Sequence, residues 1–476
     1  METINEIIAH SSENLRGHMK FEEYHQNIIA AIFYKYLSYK IEKENNKKLF
    51  KFNINFIEAF NEENINYYGP KIRSQSIEEL GYFITPNNLY QNIIQENNIL
   101  QRLDQALEDI QFQDESLNNI FDDVRFQNLE SAEQTSEIFR DVLININSLT
   151  FKNKDEFNDL MKYFMKKSYT PTEISTLLSR LVYVEGKNLE NVYDAACGSC
   201  STLLELTRKN SVHNFYGQDL NKTTYNMARM NLIMHGILPK NIHIYNEDST
   251  TSKRKLPHMD TIISHPPFLK KWDADIELLE EKRFNSYKKL PPKSKADYAF
   301  IETMIYQLKK DGRMAVAMPQ GVLFRSNAEK EIRKNFILNN YIDSVIALPK
   351  KTFYKNIPTC IIVFKKNRKN DEKILFIDAS REYKKGNSLN ILRNDDIEKI
   401  VKTYYEKRTI DKYSYSSSIE EVIGNDYNLN IKLYVNTYQQ KEKIVIDDAL
   451  REIRELDDKI SKLEDKQKDL INMIKS

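Results

Sequence analysis

Only 11 glycines, 3 cysteines and a single tryptophan are spread over 476 residues, and each shortage excludes something. With Cys197, Cys200 and Cys360 alone there is no disulfide framework, which fits a reducing compartment. Scarce glycine makes each turn that contains one informative. No apolar window nears the roughly 18 residues needed to cross a bilayer, so no membrane span is expected. Met1–His10 carries acids where a signal peptide would be basic and then apolar, so a cytoplasmic location is expected. A surplus of either charge is also missing: 70 Lys+Arg face 69 Asp+Glu. Any nucleic-acid contact must therefore come from a local basic face or from a partner.

What is present is length, enough for two or three domains, and clear periodicity. Residues 1 to about 160 read as helical. Ile28, Ile32 and Tyr36 recur at i+4, as do Ile29, Phe33 and Leu37, and Leu100, Leu103, Leu107 and Ile110 form a later stripe. The polar stretch Asn61–Gln75 reads as a loop. From about 161 to 390, short apolar runs at Val192-Tyr193, Phe215-Tyr216, Ile242–Tyr245, Thr261–Ser264, Met314–Met318, Ser344–Leu348 and Cys360–Phe364 alternate with helical patterns. That predicts an α/β domain with a largely parallel sheet and a site at the carboxyl ends of its strands. Beyond about 440, Ile446, Ala449, Ile453, Leu456, Ile460, Leu463, Leu470 and Ile474 stand three and four apart, with polar Gln467 in one slot, which predicts a coiled-coil or partner-binding helix.

Two segments carry the chemistry. Asp194-Ala195-Ala196-Cys197-Gly198-Ser199-Cys200 ends an apolar strand and opens a helix-like stretch. Backbone N–H groups there suit a ligand carboxylate, and Asp194 suits an ammonium. A second strand ends at Asp219, placed for two ribose hydroxyls, and a third at Asp248, placed for an adenine amino group. This is a three-strand S-adenosylmethionine layout. A dinucleotide site is the weaker reading, because Cys200 stands where the second glycine of Gly-x-Gly-x-x-Gly belongs. Cys197 and Cys200 also form a Cys-x-x-Cys, but no further Cys or His group completes a zinc tetrad, so no metal is expected. Isolated aspartates such as Asp219 and Asp248 are more often helix caps than ligands. The second segment, Ser264-His265-Pro266-Pro267-Phe268, is a rigid turn after a strand, suited to hold acceptors and an aromatic face against a rotated base.

Read together and in order, these stretches resemble the modification (M) subunit of type I restriction-modification systems, the adenine-N6 DNA methyltransferases. Further matching stretches are Asn14-Leu15-Arg16-Gly17, Lys35-Tyr36-Leu37-Ser38, Tyr169-Thr170-Pro171, Tyr216-Gly217-Gln218-Asp219, Ala228-Arg229-Met230-Asn231-Leu232, Leu290-Pro291-Pro292-Lys293, Ala347-Leu348-Pro349, Ile357-Pro358-Thr359 and Asn425-Asp426-Tyr427-Asn428-Leu429-Asn430. The resemblance implies a Rossmann-like S-adenosylmethionine-dependent domain at 161–390, a helical domain at 1–160, and a helical docking segment at 391–476. It implies that Lys167, Ser168, Tyr169, Thr170, Pro171, Thr172, Gly198, Ser199, Cys200 and Asp219 line the cofactor, and that His265, Pro266, Pro267 and Phe268 hold the target base. The implied partners are DNA, a specificity (S) subunit, a second M subunit and a restriction (R) motor-nuclease subunit. Two departures stand out. Ala195 and Cys200 replace the family's proline and second glycine, and His265 replaces its asparagine. The alternative that follows from the second is a catalytically impaired scaffold.

Overall fold

The chain is described from a computed structural model, which covers residues 6, 21–111, 117–127, 133–151, 155–165, 169–287, 289–354, 356–369, 371–436 and 446–475. Lys167, Ser168 and residues 14–17 lie outside this set. Two compact units are present, Met1–Val435 and Asn436–Ser476.

Helix α1, Phe21–Leu49, carries both predicted stripes, and all six of Ile28, Ile29, Ile32, Phe33, Tyr36 and Leu37 are buried. Its residues Ile28 to Tyr34 are buried on every side, while the later turns expose Lys43 and Lys47. The expectation of a loop over Asn61–Gln75 is overturned by helix α2, Ile65–Leu80. Its buried face is small, made of Gly69, Ile72 and Ser76, and Pro70 sits inside it, so apolar periodicity is too sparse to reveal it. Gly81, at φ +82, ends the helix by donating to the Ile77 carbonyl at 2.9 Å. Helices α3 (Ile99–Gln111), α4 (Glu133–Ile146) and α5 (Asp155–Met165) complete the layer. Its core also takes in Met227, Met230, Ile233 and Met234 from a helix of the α/β region, which ties the two regions into one unit.

That region holds a nine-stranded sheet: β1 (Leu189–Asp194), β2 (Val212–Gln218), β3 (Ile242–Tyr245), β4 (Met259–Ser264), β5 (Leu308–Pro319), β6 (Ile342–Ala347), β7 (Thr359–Lys365), β8 (Ile374–Asp378) and β9 (Ser414–Ser417), in the order β9-β8-β6-β7-β5-β4-β1-β2-β3. Successive side chains enter opposite cores, as with Tyr193 and Val192, Ile262 and Ile263, or Met314 and Ala315. Burial on both faces explains why these strands read as continuous apolar runs. Strand order reverses beside β1, which pairs in parallel with β2 on one side and β4 on the other. The crevice at their carboxyl ends is where ligands bind in such sheets.

Helices α6 (Thr172–Leu181), α7 (Lys222–Met234), α8 (Asp297–Gln307), α9 (Ala328–Leu338) and α10 (Asn394–Glu406) belong to this region. The expected boundary at 390 falls inside the first unit: α10 and β9 follow it, β9 pairs with β8, and Tyr434 stacks on Phe376 at 3.8 Å. Helix α11, Ile446–Lys475, is the tail. Its Ile453, Leu456, Ile460 and Leu463 are 53–66% exposed, an uncovered seam, while the side chains of Ile446, Ala449, Leu470 and Ile474 lie outside the description. Among the described residues no helix is long and apolar enough to cross a membrane.

Candidate active site

Four strand ends meet at the crevice. Asp194 closes β1, is 2% exposed, and its Oδ1 accepts from Ala196 N–H at 2.9 Å and from Ser264 Oγ, the last residue of β4, at 2.5 Å. The switch point is thus stitched by one carboxylate. Burial pushes that carboxyl up to about 7, against the pull of those two donors, and the nearby charge of Asp219 adds to the rise. Asp219, just past β2, takes the Gly198 N–H on Oδ2 at 3.1 Å and the Asn221 N–H on Oδ1 at 2.9 Å. Its carboxyl too is raised by burial, opposed by those N–H groups and by the Lys270 charge.

Between them runs the loop 195–200. Gly198 and Cys200 are both left-handed, at φ +54 and +61, which turns the backbone tightly before the short helix Ser201–Leu204. The glycine at 217 is required for another reason: a Cβ there would lie 2.8 Å from the Cys197 Cβ and 3.0 Å from Ile244. Loop and sheet touch at this point with no room for a methyl. Ser199 Oγ bonds Ser201 Oγ at 2.9 Å, and its carbonyl accepts from Asn231 of α7 at 2.8 Å. Contact with the Cys200 thiol, then burial, holds the Cys197 thiol well above its ordinary range, the opposite of a reactive thiolate. Among the described residues no group of three or more His, Cys, Asp or Glu is placed for a metal.

Tyr169 to Thr172 lead into α6. Tyr169 is buried, and Thr170 Oγ1 lies 3.0 Å from His265 Nδ1. That contact joins the segment 169–172 to the turn after β4. The His265 ring is tilted 37° against Phe353 at 4.3 Å and meets Phe268 edge-on at 5.0 Å. Pro266 and Phe268 are buried and Pro267 is exposed. Asp248, beyond β3, is turned onto its own loop, its Oδ1 accepting from Thr250 N–H at 2.9 Å and Thr250 Oγ1 at 2.6 Å. Beside it Glu247 takes Gln218 Nε2 and Arg254 Nε, each at 2.8 Å. The structure therefore links Asp194, Ser264, Gly198 and Asp219 around one loop and Thr170 with His265. Sequence reasoning missed the stitch from Ser264, the contact with Thr170, and Phe353, none of which has a local signal.

The chain is similar to known proteins along nearly its whole length. The description "N-6 DNA Methylase" matches residues 152–443, and "HsdM N-terminal domain" matches residues 4–146. The MpnII type I restriction enzyme methylase subunit of Mycoplasma pneumoniae is 30% identical over 98% of this chain and 93% of its own length. The MjaVIII methylase subunit of Methanocaldococcus jannaschii is 34% identical over 60% of this chain and 53% of its own. Among solved structures, the methyltransferase subunit of a type I restriction-modification system from Streptococcus thermophilus superposes with a TM-score of 0.83 at 32% identity, covering 90% of this chain and 98% of that one.

Proposed function

This chain belongs to the N-6 DNA methylase family, as the modification subunit of a type I restriction-modification system, an adenine-specific DNA methyltransferase; from that premise we propose how its residues share the work. The cofactor is S-adenosylmethionine. Asp194 and Asp219 are two desolvated carboxylates at adjacent strand ends, each held above the ordinary range. A ligand that brings a cation and hydroxyls to them relieves both, which is the chemistry of an amino acid joined to a nucleoside. Asp194 takes the ammonium, Asp219 the ribose hydroxyls, and Asp248 the adenine amino group through Oδ2. The loop of Gly198, Ser199 and Cys200 faces the ligand carboxylate at the start of the short helix, and residues 169 to 172 close the other side. When bound, S-adenosylmethionine supplies a methyl group on a sulfonium, already a good leaving group.

The chain's own part is acceptance and alignment. The target amino nitrogen gives its lone pair to the adenine ring until acceptors take its N–H groups. The Pro266 carbonyl is one acceptor. His265 is the other in the tautomer whose Nδ1 carries the proton: Nδ1–H then donates to Thr170 Oγ1, and Nε2 presents its lone pair. Phe268, backed by Phe353, is the stacking face for a base rotated out of the duplex. Alignment of nitrogen and methyl supplies much of the rate.

The helical region to about residue 160 and the α/β region after it carry this site, and α11 docks a specificity subunit through its exposed seam. A second modification subunit and a restriction subunit complete the assembly on DNA in the cytoplasm. The observation that carries the reading is the family match over nearly the whole chain, with Asp194 and Pro-Pro-Phe at the same switch point. The test is transfer of labelled methyl to DNA by the complex with its specificity subunit: label enters adenine, and Phe268→Ala abolishes it while cofactor still binds. No transfer by the wild-type complex would leave the scaffold alternative standing.

A further inference from the structure

Leu269 directly follows Phe268 and has φ +56, the left-handed region that aliphatic side chains rarely adopt. The conformation is clamped. Its N–H donates to Asp297 Oδ1 at 3.0 Å; Asp297, at the start of α8, is 1% exposed, and its other oxygen accepts from Arg325 Nη2 at 2.5 Å. Arg325 in turn lies 2.6 Å from Glu329. The following residue is pinned as well, since Ala296 N–H donates to the Lys270 carbonyl at 2.8 Å. A buried ion-paired network thus fixes the residue after the base-binding turn in a strained conformation, and in that conformation Leu269 is 41% exposed. Exposed Lys270 and Lys271 come next.

Strain held by buried structure beside a substrate site is a pointer to function. An aliphatic side chain held outward, with two cations behind it, matches one need of this reaction. Rotating adenine out of a duplex leaves a gap whose neighbouring bases have lost their stacking partner, and an apolar side chain can fill such a gap. We propose that Leu269 enters the duplex and occupies the space vacated by the target adenine, with Asp297 and Arg325 as positioning residues and Lys270 and Lys271 against flanking phosphates. Leucine reads no base edge, in keeping with a chain that leaves sequence to its partner. The inference rests on the reading of residues 265–268 as the target-base site.

The experiment uses the complex with its specificity subunit and two duplexes, one with the target adenine paired and one with it mispaired and already loose. Leu269→Gly removes the side chain and relaxes the backbone. It is expected to lower kcat/KM about 10-fold on the paired duplex and by less than about 2-fold on the mispaired one, with cofactor affinity unchanged. Leu269→Met, apolar and of similar volume, restores the paired rate. Asp297→Asn, which keeps an acceptor for the Leu269 N–H but breaks the ion pair with Arg325, shows the same difference between duplexes in weaker form. Equal loss on both duplexes, or no loss, overturns the inference. Phe268→Ala separates the two readings: it should abolish transfer on both duplexes, and if it does not, the base site itself is misplaced.

Discussion

At the amino end of the sheet, Asp343 of β6 is wholly buried among Lys365 Nζ at 2.8 Å, Lys407 Nζ at 2.9 Å, Arg368 Nε at 3.2 Å and the Tyr404 hydroxyl at 2.6 Å. At the carboxyl end, Asp194 is as deeply buried and meets one hydroxyl and one backbone N–H. Burial would raise both carboxyls. At Asp343 it is outweighed by Lys407 and Lys365, which hold the group well below the usual range, whereas at Asp194 it prevails. The same residue type in the same sheet is in one place a finished structural joint and in the other an electrostatic want. A buried acid without a cation is a better marker of a ligand site than a buried acid as such.

The contrast can be broken most forcefully at Asp343. Asp343→Ala leaves three cations around an empty site and should cost about 3–5 kcal/mol in denaturant unfolding of the chain; a loss near zero would erase the distinction. Asp194→Asn should do the reverse. The amide can still accept from Ser264 and Ala196, so folding holds, while calorimetric affinity for S-adenosylmethionine falls by about 1.5–3 kcal/mol through loss of the charge facing its ammonium.

A pH series sharpens the point. Because the folded-state pKa of Asp194 is raised to about 7, the folded protein keeps this proton longer than the unfolded chain. Its contribution to stability therefore declines as pH rises from about 4 to 7 and is level above. A cation needs the ionised form, so cofactor affinity should drop about tenfold per pH unit below pH 7, with a proton released on binding. Asp194→Asn should flatten the profile. The smallest effect belongs to His265. An asparagine amide presents its acceptor oxygen without depending on which ring nitrogen holds a proton, so His265→Asn should raise the methylation rate by a few-fold, about 1 kcal/mol or less. A rate no higher than the parent's, measured with DNA and partner saturating, would show that Thr170 already holds the imidazole in its accepting tautomer.

Much of this was legible from local pattern. All seven apolar runs named from the sequence fall on strands of the sheet, that at 344–348 reaching one residue past β6, because the central strands bury side chains on both faces. Asp194, Asp219 and residues 265–268 stand out in the sequence because they follow apolar runs, and the structure sets Asp194, Asp219 and the turn after β4 at neighbouring strand ends. What stayed hidden depends on distance in space. β7 runs antiparallel between β5 and β6, since the link from β6, residues 348–358, is too short for a crossover helix. β9 follows a long excursion and is polar, with no apolar run to show it. The clamp from Asp297 to Leu269 spans 28 positions and leaves no periodic trace. Helix α2 was misread because its buried face is a glycine, one isoleucine and a serine.

The close approach at Gly217 limits how this protein can change over generations. The atom that would replace a hydrogen at 217 meets the Cys197 side chain at 2.8 Å and Ile244 at 3.0 Å, and Cys197 belongs to the loop between β1 and the short helix. Position 217 cannot enlarge while Cys197 and Ile244 stay as they are. In an exhaustive substitution library, 217 would favour glycine, and a survivor with alanine there would bring glycine at 197 in the same clone, since any other residue at 197 keeps the Cβ that the alanine meets.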